Sequence, residues 1–364
     1  MIERQNYLRV NEYLTYLKEV MQLSQSSVER YRFYLRHLLL WAGGVHFNNA
    51  QKIRPALPKH ISLTSGKTEG KPLAACTQKK ILDTSRRFFN WAQSKYPKEF
   101  SDLTSAWIDT LRLIRQPQKT AEHVYVSEEE VRKLIAIPAN ESDLALMRDK
   151  AAAAFLFLSG MRGSAFVTLP LAALDLEKMT VLQWPELGVH TKNGTKATTF
   201  LFNIPDLLVP IRHWDSFIRT QVPKTARWYA PIKNVWGEQN ISEEMPGKNR
   251  LNSLEKRIKK LFALAKLPYK SPHKFRHGNA VYGLLHAKTV ADYKAVSMNL
   301  MHESIKTTDN TYAPLISSDV QTRITNLSQA ITKSSDPELE RYLNSLGNEA
   351  LGKALILIAE RLIK

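Results

Sequence analysis

The chain has 364 residues, 43% of them hydrophobic and 24% charged, so it can bury the cores of two or three domains at roughly 100–200 residues each and is not disordered overall. Its 52 Lys and Arg outweigh 34 Asp and Glu, a formal net charge of +18, and a surplus of this size points to a polyanionic partner, because phosphate neutralisation dominates affinity for nucleic acid. The single cysteine, Cys76, excludes an internal disulfide and a thiolate metal site, and no apolar run reaches the ~18 residues of a membrane span.

The first hundred residues read as helices. Residues 11–23 space Leu14, Leu17 and Met21 at helical intervals. The next helix is predicted to open on a capping box of Ser26 and Glu29, to bury Val28, Tyr31, Leu35, Leu38 and Leu39, and to stop at Gly43–Gly44. In the third, residues 77–93, Ile81, Phe88 and Ala92 share one face, while Lys79, Lys80, Arg86, Arg87 and Asn90 cluster within roughly a third of the circumference opposite. A basic stripe backed by an apolar one is either a solvated surface or a seat for a phosphate backbone; these four cations are candidate DNA contacts. Residues 114–127 are polar and aperiodic and read as a linker, with a domain boundary near 118, after which Ser127 and Glu130 form another capping box.

The second half predicts mostly helix with one small sheet, a mainly α protein of the α+β class. A buried helix, "AAAAFLFLSG", ends at Gly160; β-branched and aromatic residues then alternate around Asn193–Gly194, a hairpin signal; and helices return at 205–222, 251–267 and from Ser271 to about Tyr312. Ser271 and Pro272 suit a helix start, the hydroxyl capping the first free amides. On that helix His273 and Arg276 stand three apart, on one side. Arg162 lies two residues past the helix-ending Gly160, Lys192 sits beside the Asn-Gly turn, and His302 precedes Tyr312 by ten residues. Lys196, flanking the same turn, competes with Lys192; His277 is a further phosphate contact or a packed helix residue; His190 reads as structural. No His or Cys spacing suggests a metal site.

Taken together, "LSGMRGSAFVTLP", Lys192, "SPHKFRHG", His302 and Tyr312 resemble the catalytic domain of the tyrosine recombinase (phage integrase) family over roughly residues 127–315, and the first domain is similar, more loosely, to that family's core-binding domain. The resemblance implies residues 1–117 as a helical DNA-clamping domain, 118–333 as a mixed catalytic domain, and a site-specific recombinase or integrase that cleaves and rejoins DNA through a 3′-phosphotyrosyl intermediate with no metal or nucleotide cofactor. It implies Arg162 and Arg276 as planar forks on the phosphate, His302 as a further donor to a nonbridging oxygen, Tyr312 as the nucleophile, His273 as the acceptor of its proton and Lys192 as the acid for the departing 5′ oxygen. The expected setting is a homotetramer on duplex DNA with specific recombination sites, helped by accessory DNA-bending proteins, in the cytoplasm and, in a prokaryotic host, at the nucleoid. A type IB topoisomerase, a telomere resolvase and a DNA-binding module with a decayed site are the alternatives.

Two positions depart from the family pattern: Ala165 stands where an acidic residue is usual and Met301 where glycine is. Beyond Tyr312, residues 334–364 carry apolar residues every three or four positions after Asp336 and Pro337. This stripe is expected either to pack on its own domain or to dock on a neighbouring protomer. An N-terminus without the apolar core of a signal peptide completes the expectation of an intracellular protein.

Overall fold

The computed structural model describes residues 1–66, 72–113, 124–140, 142–242, 247, 249–301, 345, 347 and 352. The chain divides into two compact units, Met1–Thr120 and Ala121–Lys364. No helix among the described residues is long and apolar enough to cross a membrane. His302, Tyr312 and the segment 334–364, apart from Ser345, Gly347 and Gly352, lie outside the described residues.

The first unit is helical: α1 (Arg4–Glu19), α2 (Gln25–Ala42), α3 (Leu57–Leu63), α4 (Ala75–Lys95) and α5 (Ser105–Asp109). α4 packs against the other four because its apolar face, Ile81, Phe88 and Ala92, is fully buried. Phe47, Phe88 and Phe89 meet edge to face with centroids 5.4–5.5 Å apart, the arrangement their ring quadrupoles favour. Two expectations are corrected. α2 begins two residues early, capped by Ser24, whose hydroxyl accepts from the Ser27 amide, so Ser26 falls inside the first turn and the Glu29 carboxylate instead accepts from Gln25. Met21 lies past the end of α1, where the chain turns at Gln22 (φ +51°), and is 53% exposed.

The second unit is built around α7 (Leu144–Ser159), against which α6 (Glu128–Ile135), α9 (Pro205–Gln221), α10 (Arg250–Leu264) and α11 (Pro272–His286) all pack. Residues 151–159 of α7 are buried on every side, and their alanines let neighbouring backbones approach closely. The Ser127–Glu130 capping box opens α6 as predicted. Short α8 (Gly163–Phe166) follows α7, and α12 (Val290–Asn299) follows α11.

An antiparallel sheet carries β1 (Leu174–Asp175), β2 (Thr180–Gln183) and β3 (Ala197–Phe200) in that order, with Thr180 opposite Phe200 and Gln183 opposite Ala197. Here the predicted hairpin is corrected. Asn193 (φ +59°) and Gly194 (φ +66°) take the left-handed values such a turn demands, but the residues before them do not pair with β3. They belong to a loop, 184–196, that joins β2 to β3 and contains a 3₁₀ turn at Lys192–Gly194. A second sheet, β4 (Ile232–Val235) with β5 (Glu238–Ile241), was not foreseen; its two-residue turn puts a tryptophan, Trp236 (φ +53°), before Gly237 (φ +92°), where turn chemistry leads one to expect Asn or Gly. The long helix expected from Ser271 onward breaks at Ala287, which turns extended, and restarts behind a Thr289–Asp292 capping box. Ser271 occupies the N-cap of α11 but its hydroxyl makes no capping bond; Pro272 has no amide to offer and fixes the start by itself.

Candidate active site

The site grows from the C-terminus of α7. Gly160 closes that helix in the left-handed region (φ +61°), and a Cβ built there would lie 2.6 Å from Asn279 Oδ1 and 2.7 Å from Leu300 Cδ2. Both the sign of φ and the space therefore demand glycine. The turn delivers Arg162, two residues on, to the N-cap of α8.

α11 is locked to the same turn from the other side. The Asn279 amide donates to the carbonyls of Phe157 and Leu158 at 2.7 and 3.1 Å, and a Cβ on Gly278 would fall 1.9 Å from the Val126 carbonyl oxygen. One turn earlier, Arg276 is 2% exposed. Its Nη1 donates to the Gly160 carbonyl at 2.8 Å and its Nη2 to the Leu300 carbonyl. The second arginine of the predicted pair is thus held by the turn that presents the first, and it also ties down the residue two positions before His302. At least two of the five guanidinium donors serve the scaffold.

His273 lies at the solvent-facing edge of this group, its ring edge-on to His277 with centroids 4.8 Å apart. Loss of hydration, and then the positive charges of Arg276, Arg162 and Lys274, lower its pKa below the ordinary histidine value. An imidazole so placed is neutral near pH 7 and available to accept a proton. The structure therefore brings Arg162, His273 and Arg276 together.

Lys192 is exposed on the 184–196 loop and makes no ion pair among the described residues. Its competitor Lys196 is engaged within the same loop: Nζ lies 3.3 Å from Glu186 and 4.1 Å above the Trp184 ring. Met301 adopts φ +54°, the left-handed region, which explains in physical terms why glycine suits this position. Ala165 is 1% exposed and belongs to the apolar core. On the first unit, Lys79, Lys80 and Arg87 are exposed and Arg86 is half-buried; Arg87 also donates to the Tyr31 hydroxyl at 2.9 Å. Among the described residues no group of three or more His, Cys, Asp and Glu converges as a metal site would. Sequence patterns marked Gly160 as a helix end but signalled neither its close packing against Asn279 and Leu300 nor Asn279 itself, and both position the arginines.

Residues 10–95 match the model of the family described as "Phage integrase, N-terminal SAM-like domain". Two curated proteins named tyrosine recombinase XerD are each 26% identical: that of Xanthomonas axonopodis pv. citri over 63% of this chain and 68% of its own length, and that of Xanthomonas campestris pv. campestris over 82% and 85%. The fold superposes on lambda integrase (residues 75–356), solved as a dimer bound to a COC′ core site, with a TM-score of 0.58 and 13% identity, covering 84% of this chain and 94% of that one. In its N-terminal segment, its sequence and its fold, the chain is thus similar to tyrosine recombinases and phage integrases.

Proposed function

We propose that this chain is a site-specific DNA recombinase that breaks and rejoins strands through a covalent 3′-phosphotyrosyl intermediate. The observation that carries it is the buried Arg276 fixed to the turn of Arg162, beside the His273 imidazole, whose pKa is lowered by loss of hydration and by the charges of Arg276 and Arg162. That is a preorganised cationic seat for a phosphodiester with a proton acceptor attached. In the reaction, Tyr312 Oη bonds to phosphorus as its proton passes to His273; the bond to the 5′ oxygen breaks, and that oxygen leaves with a proton from Lys192. Arg162, Arg276 and His302 neutralise the pentacoordinate phosphorane, and reversal of the steps on a new 5′ hydroxyl reseals the strand. The XerD proteins by name, and lambda integrase by its structure on a core site, support duplex DNA with specific sites as the partner.

Residues 1–117 act as the DNA-clamping domain, with Lys79, Lys80, Arg86 and Arg87 toward the backbone. Residues 118–333 carry the chemistry, and 334–364 link protomers of a tetramer acting on DNA in the cytoplasm, helped by accessory DNA-bending proteins. Lambda integrase has been solved as a tetramer bound to a Holliday junction, which supports a multimeric assembly. A duplex nicked beside the cleavage site tests the reading. It should trap a covalent protein–DNA adduct, and Tyr312→Phe should retain DNA binding without forming one. Gel retardation with no adduct would make the chain a DNA-binding module.

A further inference from the structure

The Thr168 side chain ties the loop that carries Lys192 to the turn that carries Arg162. Thr168 lies just past α8, six residues beyond Arg162. Its hydroxyl accepts from the His190 amide at 2.8 Å and donates to the carbonyls of Ser164 and Ala165, at 2.9 and 3.1 Å. The Thr168 carbonyl accepts in turn from Arg227 Nη1 at 2.6 Å. Arg227 is 9% exposed and lies flat against the same loop, its Nη2 3.2 Å from where a Cβ would stand on Gly188. Val189, between these two attachments, is buried. Lys192 follows two residues after His190, on a loop whose base is set by the β2–β3 ladder and braced by the Lys196–Trp184–Glu186 contact.

We propose that Thr168, backed by Arg227, is a positioning residue: it sets the loop so that the Lys192 ammonium meets the departing 5′ oxygen while Arg162 holds the same phosphate. This rests on the reading of Lys192 as the general acid. Three features carry it. The Thr168 hydroxyl is the link that joins backbone of the α8 turn to backbone of the Lys192 loop. It is donor and acceptor at once, so removing it unties both sides. And it braces a turn in which Ala165 supplies no polar side chain. A displacement of about 1 Å is enough to cost a proton transfer ~10²-fold.

The test uses the full chain and a nicked duplex carrying, at the scissile phosphate, either the natural 5′ bridging oxygen or sulfur. In both substrates the tyrosine–phosphorus bond forms and the bond to the 5′ atom breaks; a thiolate, from a thiol of pKa about 8.5, leaves without a proton, whereas an alkoxide does not. Thr168→Val should slow adduct formation about 10- to 100-fold on the oxygen substrate and restore it to within a few-fold of the parent on the sulfur substrate. Thr168→Ser, which keeps the hydroxyl, should behave as the parent on both. Lys192→Ala provides the reference. If sulfur fails to rescue Lys192→Ala, the acid role of Lys192 is wrong. If sulfur rescues Lys192→Ala but not Thr168→Val, the acid role stands and the positioning role is overturned, as it also is when Thr168→Val cleaves the oxygen substrate at the parent rate. Should Thr168→Val lose DNA binding, Thr168→Ala is read against the same two substrates with the same outcomes.

Discussion

Arg276 donates from Nη1 to the carbonyl of Gly160 at 2.8 Å, so the two arginines of the site share one backbone turn. That bond ties the geometry of the proposed phosphate seat to the integrity of the α7 terminus, so Arg276, proposed above as part of the phosphate clamp, also has a structural role.

Arg276→Lys should therefore lose more than a charge count suggests. An ammonium cannot hold the Gly160 and Leu300 carbonyls as the flat guanidinium does while presenting paired donors to a phosphate. Cleavage of the nicked duplex should fall by ~10²-fold or more. Leaving one buried carbonyl poorly satisfied should lower stability by about 1–3 kcal/mol in urea unfolding. A lysine variant that keeps both rate and stability would remove Arg276 from the clamp.

The pH dependence follows from His273. Its pKa is lowered by loss of hydration and by Arg276, Arg162 and Lys274, so the folded state holds the imidazole neutral where the unfolded chain, with an ordinary histidine pKa near 6.5, begins to protonate. The sign is that stability from this group is present above pH 6.5 and declines as pH falls toward the folded pKa. The ascending limb of the cleavage profile should accordingly lie below pH 6.5. In an NMR titration of the His273 Cε1 proton, Arg162→Gln should raise the pKa and Lys274→Gln should raise it less. A midpoint at or above 6.5 in the parent protein would contradict the electrostatic account.

Gly278→Ala isolates packing from chemistry. The methyl would be placed 1.9 Å from the Val126 carbonyl oxygen, a backbone atom that cannot rotate away, and Val126 is itself pinned by its amide to the Lys274 carbonyl. Either α11 shifts away from residue 126 or the unit unfolds, at a cost of about 3 kcal/mol, the upper end of what overpacking usually costs. Denaturant midpoints would settle it; a loss under about 1 kcal/mol, the ordinary range for a point substitution, would mean that α11 and residue 126 are not in contact.

Local signals carried much of this protein. The Ser127–Glu130 capping box, the Asn-Gly torsions, the apolar stripe of α4 and the apolar run of α7 are encoded within a few residues of where they act; Arg162, His273 and Arg276 stand at helix starts and ends, and the family resemblance is what grouped them. What stayed hidden depends on distant partners. Strand pairing was misassigned because β2 rather than the residues before Asn193 supplies the partner of β3, a choice made across 14 residues. The role of Arg276 as a brace rests on carbonyls at 160 and 300, and that of Thr168 on an amide at 190; neither leaves a pattern in the chain. Trp236 at a left-handed turn position contradicts local preference, and only the paired strands beside it reveal the hairpin.

Residues 334–364 are expected to link protomers rather than to complete their own domain. Deleting them should leave single-site cleavage of the nicked duplex within a few-fold of the parent, while recombination between two sites is lost, because a head-to-tail contact closes a ring of subunits and has no part in a single-site reaction. An insoluble truncation, or one that cannot cleave a single site, would assign the stripe to the fold of its own subunit.

Met301 offers a test in which two backbone terms oppose each other. At φ +54° its Cβ crowds the following carbonyl, at a cost of roughly 1–2 kcal/mol, which glycine would relieve. Glycine would also add chain entropy to the unfolded state, a loss of about 0.5–1 kcal/mol. The first term is the larger, so Met301→Gly should stabilise the second unit by up to ~1 kcal/mol, read as a raised denaturant midpoint. Cleavage should stay within a few-fold, because the Leu300 carbonyl that Arg276 holds is left in place. A lowered midpoint would mean that the Met301 side chain contributes more by packing than its backbone loses by strain.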